Sequence, residues 1–350
     1  MKKVLATLMA MGLAVSALAG CGSSEKPAAT DAATEAASGA ETSAGETSAD
    51  NAGDGESYNV GICQLVQHPA LDEATEGFKA ALSEKLGDKV SFDEQNASGD
   101  SATCATIVNQ FVANDCDLIL ANATASLQAA AAATDTIPIL GTSITDYATA
   151  LEIDDWTGTT GKNISGTSDL APLDEQAAML NEMFPDAKNV GLLYCSAEAN
   201  SAYQVGVVKE ALEGLGYTCT EYSFADSNDI SSVATNAASS SDVIYIPTDN
   251  TAASNAEVVN NVCVPAGVPV IAGEEGICKG CGVATLSISY YDIGYKAGEM
   301  AYDILVNGSD VSQMPIEFAP QVTKKYVASR CEELKVTVPD GYEAIDESAE

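Results

Sequence analysis

The chain has 350 residues, with 15 basic against 51 acidic side chains and a formal net charge of −36. Such an acidic chain excludes nucleic acid as a partner, because phosphate binding needs clustered lysine and arginine, and Arg330 is the only arginine. The single histidine, His68, excludes a multi-histidine metal centre and leaves little for general-base catalysis.

The first predicted element stands apart from the fold. Lys2 and Lys3 precede an apolar run from Val4 to about Val15, too short to stay in a bilayer as a spanning helix. Leu18-Ala19-Gly20-Cys21 then has the form of a bacterial lipobox, in which cleavage leaves a lipid-modified cysteine at the new N-terminus. Residues 1–20 are therefore expected to be a signal peptide. The mature protein is expected on the extracytoplasmic face of the cell membrane, attached only through lipid on Cys21. Residues 21–57 contain no aromatic side chain and are dominated by Ala, Ser, Thr, Gly and acids. They cannot bury enough apolar surface to offset their ordering entropy, and read as a flexible tether.

From Tyr58 the chain repeats itself. Asn59-Val60-Gly61-Ile62, Asp117-Leu118-Ile119-Leu120 and Ile137-Pro138-Ile139 are echoed by Asn189-Val190-Gly191-Leu192, Asp242-Val243-Ile244-Tyr245 and Val268-Pro269-Val270, at offsets of 130, 125 and 131 residues. Each is a short β-branched run separated from the next by a helix-length segment, the pattern of buried parallel strands in βαβ units. Pro69 opens a helix whose apolar face runs through Leu71, Ala74, Phe78, Ala81 and Leu82 until Gly87. Asp100 and Ser101 open a second, with Cys104, Ile107, Val108, Phe111 and Val112 facing inward. Val283–Ser289 reads as a later strand, Asp292–Val306 as a helix returning to the first half, and Pro315–Ser329 as a last crossing. The predicted fold class is α/β: two Rossmann-like lobes with parallel sheets joined by a multi-strand hinge. One lobe comprises residues 58–165 plus 286–318, and the other 166–285 plus 319–350.

Ten cysteines are present. Lipidation of Cys21 would leave nine, so at least one stays unpaired within the molecule. Cys63, Cys104, Cys116 and Cys195 lie in apolar-periodic segments and read as small buried hydrophobes. Cys278-x-x-Cys281 is the only close pair, with no second CxxC to complete a metal site, so neither a metal nor a cofactor is expected. Without a GxSxG elbow or a P-loop, the chain reads as a binding protein and not an enzyme.

Ligands of doubly wound sheets bind beyond the carboxyl ends of the strands, at the starts of the following helices. In the first lobe those turns carry hydroxyls, at Thr124, Ser126, Thr142, Ser143 and Thr145. In the second they carry acids, at Glu198, Asp249, Glu274 and Glu275. Hydroxyls and helix-start N–H groups suit a carboxylate without arginine, and an acid suits an ammonium. The division points to a zwitterion, although the same residue types are also good helix caps.

The chain resembles the solute-binding lipoproteins of ABC importers with the type I periplasmic-binding-protein fold, and among them the tryptophan- and tyrosine-binding-like family. The resemblance covers about residues 58–340. It rests on Gln67-His68-Pro69-Ala70-Leu71-Asp72, the Thr124 turn, Gly166-Thr167-Ser168-Asp169-Leu170-Ala171-Pro172, Ile246-Pro247-Thr248-Asp249-Asn250-Thr251 and Ser289-Tyr290-Tyr291-Asp292-Ile293-Gly294. It implies a two-lobed clamp closing on a free amino acid of the aromatic class, delivered to ABC permease subunits. Thr124, Ser126, Thr142 and Ser143 would then take the α-carboxylate, and Asp249 with Asn250 the α-amino group. Gln64, His68 and Leu71 would line the side-chain end, with Tyr194, Ser196 and Asn200 closing over it. Ser168 and Glu274 complete the expected set. A sugar- or nucleoside-binding protein of the same fold is the alternative, as is a surface adhesin or sensor lipoprotein.

Overall fold

The computed structural model describes residues 57–347. The predicted signal peptide, Cys21 and nearly all of the tether lie outside them. The first half runs β1 (Tyr58–Gln64), α1 (Pro69–Leu86), β2 (Val90–Asn96), α2 (Ser101–Ala113), β3 (Leu118–Asn122), α3 (Thr124–Ala133), β4 (Ile139–Ile144), α4 (Tyr147–Ala150) and β5 (Ile164–Ser168). The second begins with α5 (Leu173–Met183), β6 (Asn189–Cys195), α6 (Ala199–Gly214), β7 (Thr218–Phe224), α7 (Ile230–Ala238) and β8 (Val243–Ile246). It continues through α8 (Asn250–Ala253), α9 (Ala256–Ala266), β9 (Val270–Ala272), α10 (Glu275–Cys281) and β10 (Ala284–Ser287). The chain ends with α11 (Tyr290–Leu305), β11 (Glu317–Phe318), β12 (Thr323–Tyr326), α12 (Ala328–Leu334) and β13 (Glu343–Ala344).

The strands form two sheets, ordered β11-β5-β4-β3-β1-β2 and β13-β12-β10-β9-β8-β6-β7. The repeated sequence landmarks become the central strands of both. Val60 pairs with Leu118 and Ile119 with Ile139 in one sheet, just as Val190 pairs with Val243 and Ile244 with Val270 in the other. Helices cover both faces of these strands, and β3, β4, β8 and β9 are buried throughout. Only β12 runs antiparallel to its neighbour β10. The chain passes from the first sheet to the second after Ser168, returns after Ser287, and crosses again between Phe318 and Thr323.

The returning helix α11 packs on α1 at backbone distance. A β-carbon added at Gly294 would stand 2.0 Å from the Ala74 carbonyl oxygen, and one at Gly77 would stand 2.1 Å from that of Tyr291. Glycine at both positions lets two helices approach more closely than any side chain permits. This seam ties the returning segment to the first lobe.

Arg330 closes the other lobe. Its guanidinium donates to the carbonyls of Cys278 (2.9 Å), Gly282 (2.6 Å), Lys279 (3.0 Å) and Gly280 (3.2 Å), and to Asn260 Oδ1 (2.9 Å). These include the last carbonyls of α10, which have no partner within the helix. The chain's one arginine is thus committed to a helix end. The nine cysteines among the described residues are all free, and eight of them are buried. No group of three or more His, Cys, Asp or Glu side chains among those residues is arranged to hold a metal.

Candidate ligand-binding site

The strand-to-helix turns of the two lobes face each other. In the first lobe, β3 enters α3 through Ala123, a non-glycine residue at φ +91°. That conformation costs about 1–3 kcal/mol and persists only where the surroundings impose it. Ala123 has no side-chain oxygen to cap the helix, so the leading N–H groups of α3 remain available to a ligand. Ser143, at φ +56°, lies near the end of β4, where its register with β5 shifts.

Two cavities occupy the space between the turns. The outer one, of about 260 Å³, is lined by Leu65, Val66, Thr124, Ala125 and Gln128 on one side, and by Ala197, Glu198, Asn200 and Asn250 on the other. The inner one measures about 10 Å³, barely the room one water needs. His68, Leu71 and Ser143 face Asn200, Asp249, Asn250 and Glu274 across it, with Asp169, Thr248, Ala253 and Tyr290 completing its wall. Asn200 and Asn250 border both cavities.

The inner wall concentrates buried carboxyl groups. Asp169 accepts from the Thr145 hydroxyl at 3.0 Å and the Tyr290 hydroxyl at 3.0 Å, yet burial still pushes its pKa up. Asp249 is pushed up by burial and then by the nearby Glu198 charge, against the hydrogen bonds it accepts. Those come from Cys195 N at 2.6 Å and Ala252 N at 2.7 Å, the second making Asp249 the cap of α8. Glu274 caps α10 through Gly276 N and Ile277 N, and burial raises its pKa to about 7. Acids at helix caps and acids at a cavity wall are therefore the same residues here. A cation entering the inner cavity would favour their ionised forms.

A polar contact joins the lobes across the cavity, between His68 Nε2 and Asn250 Oδ1 at 3.2 Å. Burial holds the imidazole pKa below its ordinary value.

Seven of the expected residues meet at the inner cavity, namely His68, Leu71, Ser143, Asn200, Asp249, Asn250 and Glu274, and Thr124 lines the outer one. Six others line neither. Gln64 is held by Thr75 (2.7 Å) and Asp72 (2.6 Å), and Ser126 lies 3.6 Å from the sulfurs of both Cys63 and Cys104. Thr142 accepts from the Thr167 hydroxyl at 3.1 Å, and Ser168 donates to the Thr145 carbonyl at 2.9 Å. Tyr194 donates to Glu221 at 3.0 Å, and the exposed Ser196 to the Phe224 carbonyl at 3.1 Å. Their polar groups serve the scaffold behind the turns. Asp169, Thr248 and Tyr290 were not expected to line the site, although all three lie within the motifs quoted above. Asp169 follows β5, a strand that reads as a lobe boundary and not as a turn of the site.

Comparison with known proteins identifies the family. A family model described as ABC transporter substrate binding protein matches residues 59–347. A tyrosine-binding protein of Clostridioides difficile (strain R20291) is 34% identical over 318 residues, covering 90% of this chain and 87% of that one. An ABC domain in complex with L-Trp from Streptococcus pneumonia superposes with a TM-score of 0.79 at 30% identity, over 83% of this chain and 100% of that one. A ligand-free, open substrate-binding protein with adhesive properties from Clostridium difficile is 35% identical over 82% of this chain and 99% of that one, with a TM-score of 0.63. The fold is that of the type I periplasmic binding proteins. With the whole folded part matched, the chain belongs to the ABC transporter substrate-binding protein family, whose members bind solutes and are not enzymes.

Proposed function

We propose that this substrate-binding protein takes a free aromatic amino acid as a zwitterion between its lobes. The carrying observation is a pair of adjoining cavities that share Asn200 and Asn250, with an uncapped helix start at Thr124 on the outer one and the buried carboxyls of Asp169, Asp249 and Glu274 on the inner one. The ligand carboxylate would sit at the start of α3, with Thr124 and the helix N–H groups neutralising it in place of an arginine. The ammonium would enter the inner cavity, and the ring would lie in the outer one against Leu65, Val66 and Ala125. Gln64, Ser126, Thr142 and Ser168 would hold the turns from behind, with Tyr194 and Ser196 at the rim. The L-Trp complex and the tyrosine-binding relative support the aromatic class. A thermal-shift screen over the twenty amino acids, common sugars and nucleosides tests the reading. Stabilisation by Trp, Tyr or Phe is expected, and a response to sugars or nucleosides alone would overturn it.

We also infer that lipid on Cys21 anchors the mature protein outside the membrane, beside the permease it serves. Among the described residues no helix is long and apolar enough to cross a bilayer. Cys21→Ser should release protein into the medium, and undiminished retention would reveal a second anchor.

A further inference from the structure

A chain of hydrogen bonds fixes the state of the only histidine. Glu198 Oε2 accepts from Asn250 N at 3.0 Å and from Asn250 Nδ2 at 2.7 Å. Its other oxygen accepts from Thr251 N and the Thr251 hydroxyl, each at 2.8 Å. A carboxylate only accepts, so the amide nitrogen of Asn250 must face Glu198 and its oxygen must face His68. That oxygen lies 3.2 Å from His68 Nε2 and cannot donate, so Nε2 carries the proton. In a neutral imidazole the remaining nitrogen, Nδ1, is then a bare acceptor. His68 Nδ1 and the Ser143 hydroxyl oxygen are buried polar atoms without a hydrogen-bond partner in the protein. Both residues line the inner cavity. A buried acceptor left without a donor is costly, and these two converge on one small space.

We propose that His68 Nδ1, with the Ser143 hydroxyl, accepts hydrogen bonds from the ammonium group of the bound ligand. This rests on the zwitterion reading and adds neutral acceptors to its acidic wall. An ammonium offers three N–H donors, and a space of about 10 Å³ suits such a head group and not a ring. Asp169, Asp249 and Glu274 face the same cavity, while Asp72 and Glu198 act on the imidazole from outside it. Their negative charge favours a cation in the space, and burial opposes placing that charge on the imidazole itself. The ligand, rather than His68, then carries the positive charge. A phenolic O–H or indole N–H could supply one donor by the same chemistry, and the test separates these sources.

Because His68 is the only histidine, protein labelled with 15N-histidine contains a single imidazole. Its two nitrogen shifts should show protonated Nε2 and unprotonated Nδ1. L-Phenylalanine, which has no ring donor, should shift Nδ1 into the hydrogen-bonded range, as should L-tyrosine. 3-(4-Hydroxyphenyl)propanoate, which lacks the ammonium, should leave Nδ1 where it was. In His68→Ala, the preference for L-tyrosine over that des-amino acid should fall about tenfold or more, with the circular dichroism of the wild type. A protonated Nδ1, or an Nδ1 shift unmoved by a bound amino acid, overturns the proposal and leaves the zwitterion reading standing. A shift produced by the des-amino acid assigns the contact to the ring hydroxyl and also overturns it. Failure of the wild type to bind any aromatic amino acid overturns both.

Discussion

Asp249 is both a scaffold residue and part of the cavity wall. Its two oxygens hold Cys195 N and Ala252 N, and the same carboxyl forms part of the inner cavity wall. Asp249→Ala removes a helix cap, worth about 1 kcal/mol, and strands a buried N–H at a cost of about 1–3 kcal/mol. The melting temperature should therefore fall. If the ligand ammonium also relies on this charge, affinity should drop about thirty-fold or more, the equivalent of roughly 2–5 kcal/mol. Calorimetry and thermal melting on the one variant separate the two roles. Lowered stability with intact affinity would assign Asp249 to the scaffold alone. The sequence shows an acid at a strand-to-helix turn, and this position suits a cap and a ligand contact equally well. Local pattern alone could not choose between them, and the geometry places the one carboxyl both at the cap of α8 and at the cavity wall. Asp169 was harder to read, because its role depends on Thr145 and Tyr290, residues brought to it by tertiary folding.

At the scale of elements, the α1–α11 seam depends on two missing side chains. Gly294→Ala would drive a methyl group into the Ala74 carbonyl, and overpacking of this kind costs about 1–3 kcal/mol. Denaturant unfolding should show that loss with ligand affinity little changed, since neither Gly294 nor Ala74 lines a site cavity. An unaltered midpoint would mean that the helices can slide apart. The buried central strands, β1, β3 and β4 with their counterparts β6, β8 and β9, were legible because burial on both faces writes a continuous apolar run. The edge strands β2 and β7 were not. Val90–Asn96 and Thr218–Phe224 are largely polar and partly exposed, so no hydrophobic period marks them. The starts of α1 and α2 were readable from Pro69 and Asp100, and Asp100 indeed caps Thr103 N at 2.6 Å.

For the whole molecule, the contact between the lobes bears on motion. Fold overlap is 0.79 with the L-Trp complex at 30% identity, but 0.63 with the ligand-free, open protein at 35%. The His68–Asn250 contact bridges the two lobes directly. That contact draws the lobes together, and three chain crossings between the sheets link them. Solution scattering should give a smaller radius of gyration with a bound aromatic amino acid than without one. Identical profiles in the two conditions would indicate a rigid cleft.

Arg330 gives this architecture a less obvious property. Helix α10 has a carboxylate at its first residues, where Glu274 borders the inner cavity, and a guanidinium at its last carbonyls, from Arg330, which lines neither cavity. It is a strut loaded at both ends by opposite charge. The position of the cavity wall is therefore set partly from outside the cleft, by a residue in α12. In such a scaffold, discrimination between ligands can drift without any change in the residues that touch them.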